Sequence, residues 1–328
     1  QLRDDLLSGK AFGPRLITSG PSLNGRSVSG AADGARQVRE QHSAGYDFLK
    51  IHPGLNAAEF AAIADAANEL GIPFAGHVPV AIGVGNALAS GIATIDHLDG
   101  YMAALLPANF DRSGGYGGFF DVLLAEQVNV DRIGVLATDT ARAGTWNVPT
   151  QTLIEQLIND VPVSELRNRA DMQYMPAATV ERWVSAKQGQ QAERGFSPEV
   201  ARKAIEIRRA LILALHKAGG RLLLGSDAPQ IFNVPGFSLH YELEVLVASG
   251  LTPYEALATG TTNVAEFLNL NTGAVATGRA ADLVLLDANP LEDITNTRRI
   301  HGVMVRGTWY SSGDIEGLLS RYRLAGEK

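Results

Sequence analysis

The chain has 328 residues, 45% hydrophobic and 19% charged, with a formal net charge of −7, 35 glycines and no cysteine. That length suits one large α/β domain or two smaller ones with a sizeable core, and the acidic balance, without any Lys/Arg run, argues against nucleic acid or an anionic membrane as partner. Lacking thiols, the protein can form no disulfide and could hold a metal only through nitrogen and oxygen; no apolar run reaches the roughly 18 residues that span a bilayer.

Gln1 opens directly into Leu2-Arg3-Asp4-Asp5-Leu6-Leu7, apolar at helical spacing, with Gly9 as its stop. No initiator Met, signal peptide or flexible lead-in precedes it, so the sequence reads as a fragment or a processed product. Localisation, cytoplasmic or periplasmic/secreted, stays open. Next come a predicted strand over Arg15–Gly20, a helix over Ala31–Ser43 and a strand over Phe48–Ile51. An amphipathic helix over Ala57–Leu70, closed by Gly71, leads to a strand over Ile72–Val78. A helix over Ala81–Ser90 and a strand over Ala93–Leu98 complete this stretch. Such alternation with short connections implies a parallel sheet.

Residues 101–145 interrupt the rhythm, and the glycine-rich stretch Ser113–Gly118 reads equally as a lid over a site or as an insertion without function. A strand over Trp146–Leu153, polar helices within 155–196, a long helix over Pro198–Ala218 and a strand over Arg221–Ser226 follow. Helices are expected over Ser238–Ala248 and Pro253–Leu268. From Gly273 the texture changes: Gly273–Gly278, Ala281–Asp287 and Ile300–Tyr310 read as β strands with tight turns. Three or so strands cannot bury a sandwich core alone. Barrel-type strands centre on Leu16, Leu49, Phe74, Thr94, Val148 and Leu223, two short of a closed eight.

Four polar residues stand at the ends of these apolar runs: Lys50, His77, His97 and Asp227. Carboxyl ends of successive barrel strands ring one mouth, so residues distant in sequence converge there. Two imidazoles, a carboxylate and a lysine on one rim suit a hard cation, which suggests a metal-dependent hydrolase.

The motifs Gly13-Pro14-Arg15-Leu16, Phe48-Leu49-Lys50-Ile51, Ala75-Gly76-His77-Val78-Pro79, Ile95-Asp96-His97-Leu98 and Leu224-Gly225-Ser226-Asp227-Ala228 resemble the third, fourth, fifth, sixth and eighth barrel strands of the amidohydrolase superfamily, in its imidazolonepropionase-like and Xaa-Pro dipeptidase-like branch. Gly278-Arg279-Ala280-Ala281-Asp282-Leu283-Val284 with Asn289-Pro290-Leu291 is similar to the family's return to its β-sandwich. The resemblance implies a (β/α)8 TIM-type barrel lacking its first two strands, over residues 1–272, and the C-terminal part of a small β-sandwich over 273–328. Family members carry a His-x-His pair on the first strand, which this sequence lacks. Implied cofactors are two divalent ions, zinc by expectation, with reduced occupancy for want of that pair. Lys50, carboxylated to a bridging carbamate, would hold the second ion with His77 and His97. Asp227 would bind the first and act as the catalytic base.

The expected activity is cleavage of a C–N amide bond in a small substrate: a dipeptide, an N-acyl amino acid or a cyclic amide. Ester, lactone or phosphotriester hydrolysis on the same metal site is the alternative, and a non-catalytic fragment that binds small molecules is the third. Nearby, His52 faces the same way as Lys50 and reads equally as a substrate contact or a structural polar residue. Tyr101 would bind a substrate carboxylate or pack as an aromatic; Thr150 carries the same ambiguity. His42 and His216 read as helix-surface or packing residues, His240 as a capping or supporting group, and His301 as remote. Beyond a small-molecule substrate, a homo-oligomer is compatible with the sequence.

Overall fold

The computed structural model describes residues 1–110 and 117–323. Five short strands, β1 (Leu49–Ile51), β2 (Phe74–Gly76), β3 (Thr94–Asp96), β4 (Trp146–Val148) and β5 (Arg221–Leu222), form one sheet in the order β1-β2-β3-β4-β5. Every pairing is parallel. Parallel neighbours need a crossover between them, and helices supply each one, giving an α/β fold with the strand order of a TIM-type barrel. No helix among the described residues is long and apolar enough to cross a membrane.

The pleat sorts side chains by function. In β1, Leu49 and Ile51 are fully buried and Lys50 points to the other face. Leu49 and Ile51 share a core with Phe60, Ile63 and Phe74, from the helix over Ala57–Leu70 and from β2. Each such side chain removed from water contributes about 1.5–3 kcal/mol. That helix starts where Asn56 and Glu59 cap one another's backbone and ends at Gly71 in the left-handed region, φ 67°. Register aligns the strand tips: Ile51 pairs with Gly76 and Gly76 with Ile95, so His52, His77 and the Asp96–His97 step emerge side by side.

Several expectations shift. Arg15–Gly20 is not a strand; the segment touches β1 through isolated bridges at Ser19–Phe48 and Leu23–Ile51, so the strand expected around Leu16 is absent there. The strand expected over Trp146–Leu153 ends at Val148, because Pro149 has no N–H, Thr150 turns left-handed (φ 43°) and a helix begins at Gln151. Pro253–Leu268 is two helices, Pro253–Thr259 and Thr262–Phe267; the break frees the Thr259 carbonyl to accept from Leu224 N–H (3.0 Å), and a Cβ at Gly260 would lie 2.7 Å from Leu224 Cδ2. Within 101–145 lies a helix over Ile133–Ala143 that the pattern did not announce. Of the glycine-rich stretch, residues 113–116 lie outside the described residues.

Gly273–Gly278 forms turns rather than a strand. The C-terminal sheet is β6 (Leu283–Leu286), β7 (Ile300–Val305) and β8 (Thr308–Ser311), antiparallel throughout. Arg306 and Gly307, both left-handed, make the two-residue turn between β7 and β8. The Arg306 guanidinium donates to the carbonyls of Leu6 and Gly13, tying the N-terminal helix Leu2–Leu7 to this sheet.

Candidate active site

His77 and His97 follow β2 and β3, and their rings lie side by side with centroids 4.8 Å apart. His52, after β1, continues the row at 4.9 Å from His77. Thus three imidazoles from adjacent strand tips form one face. His77 Nδ1 lies 3.0 Å from Asp99 Oδ2, which also accepts the Val78 N–H. An ionised carboxylate only accepts, so His77 Nδ1 is the donor of that bond. His97 Nδ1 meets Thr150 Oγ1 at 2.8 Å; which of the two donates depends on the ring tautomer. No hydrogen bond reaches Nε2 of either ring among the described residues.

Electrostatics favour the neutral ring at His97 and at His52. Burial, reinforced by the neighbouring His77, pushes His97 down to about 3. His52 is lowered for the same first reason, with His77 and Lys50 adding to it. Neutral imidazole is the form that donates a lone pair to a cation.

Lys50 and Asp227 stand differently. Lys50 Nζ is 2.6 Å from Asp96 Oδ2, an ion pair from β1 to β3 across the tip of β2. Burial would raise the Asp96 carboxyl, but the Lys50 charge holds it below its ordinary value. Asp227, left-handed at φ 54°, accepts from Gln230 Nε2 at 2.9 Å. Burial raises its carboxyl, with Lys50 pulling the other way and Asp96 adding to the rise.

Among the described residues, no three His, Asp or Glu side chains are arranged to hold an ion together. The structure gathers Lys50, His77 and His97 at neighbouring strand tips, with Asp227 near enough to interact electrostatically with Lys50 and His77. Donor chemistry nevertheless fits a divalent ion at the histidines: both Nδ1 atoms are held by oxygens, the arrangement that orients metal-binding imidazoles. A carboxylated Lys50, by contrast, would set an anion against Asp96 unless cations lay between them.

Tyr101 takes the packing role: its ring is fully buried and its hydroxyl meets Thr140 Oγ1 at 3.0 Å, so it has no access to a substrate carboxylate. Thr150, also buried, braces His97. His42 is exposed on its helix, His216 pairs with Glu255 (2.9 Å), His240 with Thr297 (2.9 Å) and His301 with Asp287 (2.9 Å). Sequence reasoning overlooked Asp96, Asp99 and Phe120. The two carboxylates flank His97 within Thr-Ile-Asp-His-Leu-Asp, where position alone could have flagged them. Phe120 stacks on His77 (6.0 Å, 9°) and leans on His97 (5.0 Å), giving the face an apolar wall. Four cavities of about 420–740 Å³ lie elsewhere, and none is lined by Lys50, His77, His97 or Asp227.

A parallel α/β sheet with polar side chains gathered at its strand tips is the arrangement in which barrel-type enzymes place their active sites. The sequence matches the amidohydrolase family over residues 2–310, and the chain belongs to that family. Its bottromycin amidohydrolase neighbour superposes with a TM-score of 0.75 at 25% identity, over 98% of this chain and 70% of that one. A Xaa-Pro dipeptidase, solved with methionine in its active site, gives 0.62 at 18% identity over 95% and 71%, respectively. Ochratoxinase from A. niger gives 0.63 at 17% over 94% and 68%; these last two likenesses show the fold. No curated protein matches the chain. The protein is a hydrolytic enzyme acting on C–N bonds.

Proposed function

We propose that the protein is a metal-dependent amidohydrolase that cleaves a small peptide-like amide: a dipeptide, an N-acyl amino acid or a cyclic amide. The supporting observation is the His77–His97 pair, 4.8 Å apart, each ring braced at Nδ1. His77 and His97 would hold one divalent ion together with a carboxylated Lys50, and Asp227 would bind a second. Bound there, zinc would supply electrophilic polarisation of the amide carbonyl and acidify water. Asp227 would take a proton from the attacking water and return it to the leaving amine. Phe120, against both rings, would shield one side of that site from water and favour an apolar substrate group. On this reading residues 1–272 are the barrel and 273–328 belong to a β-sandwich unit.

The names of the amidohydrolase and dipeptidase neighbours favour amides over esters. The test is a matched panel of N-acyl amino acids, dipeptides, lactones and phosphotriesters, assayed with the zinc-loaded and the chelator-treated protein. Amide turnover that disappears on chelation supports the reading. Turnover of esters alone, or amide turnover indifferent to chelation, overturns it.

A further inference from the structure

Among the described residues Arg208 is one of the largest fully buried side chains, on the helix Pro198–Lys217 that packs behind the strand tips. Its Nη2 donates to the His97 carbonyl at 2.7 Å and lies 3.4 Å from the Pro149 carbonyl, while Nε donates to Gln151 Oε1 at 2.9 Å. One planar fork thus grips the ends of β3 and β4 just beyond their last paired residues. Those ends carry His97 and Thr150, whose side chains meet at 2.8 Å.

The backbone there needs holding. His97 (φ 62°), Leu98 (φ 50°) and Thr150 (φ 43°) are all left-handed without being glycine. Such conformations persist only where the surroundings over-determine them, and they gather at working sites. On the far side, Glu242 accepts the N–H groups of Gln151 (2.9 Å) and Thr152 (2.7 Å), pinning the same corner. Arg208 is also poor at pure packing, since its Nη1 is buried without a hydrogen-bond partner. An apolar residue would fill that space without stranding a donor.

We propose that Arg208 is a positioning residue: by clamping the His97 and Pro149 carbonyls it sets the His97 ring against Thr150 and aims Nε2 at the reaction site. The assignment rests on the reading of His97 as a ligand side chain.

The test compares Arg208→Met and Arg208→Lys with the parent protein. Imidazole 15N shifts of His97 are recorded without metal, zinc affinity is measured by titration calorimetry, and kcat and KM follow on the amide substrate. In Arg208→Met the His97 shifts should move, and zinc affinity and kcat should each fall about 10–100-fold, with KM within about threefold of the parent. Arg208→Lys, which keeps a buried charge near Glu242, should restore part of each loss; it carries the comparison if Arg208→Met does not fold. A folded variant with parental His97 shifts and zinc affinity overturns the proposal. If the parent takes up no zinc, the ligand reading falls, and the shifts alone decide whether Arg208 sets the ring.

Discussion

Gly76 separates two chemically important side chains by almost nothing. Its φ is +125°, and a Cβ built there would lie 2.5 Å from the Ile51 carbonyl oxygen and 3.0 Å from Lys50 Cδ. Gly76→Ala should therefore cost more than about 1 kcal/mol of stability, read from urea unfolding, and displace Lys50 and His77 together. An unchanged midpoint would show that the close approach is wrong. Thr150 gives a second expectation. Thr150→Val keeps the shape but removes the hydroxyl that meets His97 Nδ1, so kcat should drop about 10–100-fold, while Thr150→Ser should retain activity. Equal rates in both variants would deny the brace. Sequence alone carried His77 and His97, because each ends an apolar run where a buried imidazole needs a reason. It did not carry Arg208: in Ile-Arg-Arg-Ala the pair reads as a solvated face, yet Arg208 points inward while Arg209 reaches Glu155 nearer the surface.

Helices were the legible elements. Ala31–Ser43, Ala57–Leu70 and Ser238–Ala248 fall where the 3.6-residue period puts them, the second also closed by Gly71 as its sequence signals. Strands were overextended, since two or three paired residues suffice at each position and the apolar run continues into loops. What joins elements was not legible at all. The helix Gln151–Ile158 has no side-chain cap of its own; Glu242, reaching from the helix Ser238–Ala248, accepts its first two N–H groups. Burial pushes the Glu242 carboxyl from 4.5 up to about 7, against the pull of those two N–H groups. A folded-state value above the unfolded one means that this group's contribution is complete below about pH 4.5 and is lost as pH rises through about 7. Urea midpoints should therefore decline across that window in the parent relative to Glu242→Gln, whose side chain does not titrate. Parallel curves for the two proteins would contradict the buried-acid account.

At the scale of the molecule, the candidate site is a meeting of strand tips whose sequence positions span 50 to 227, so its proposed ligands have no reason to stay together in the unfolded chain. The row of His77- and His97-bearing tips could be read from the motifs; the Lys50–Asp96 pairing could not, because a lysine at a strand end signals neither partner nor modification. A cation that binds only the assembled tips stabilises the fold by mass action, about 2.7 kcal/mol when free metal is 100 times Kd. Zinc should thus raise the unfolding free energy of the metal-free protein, and the gain should grow with the logarithm of its concentration. His77→Ala should remove most of that gain, since it takes one of the two converging imidazoles, whereas His301→Ala, on the C-terminal sheet, should leave it intact. Because the readout is folding, it applies whatever amide is the substrate. A zinc response equal in both variants would place the cation away from the β2–β3 tips and leave the paired histidines without their proposed role.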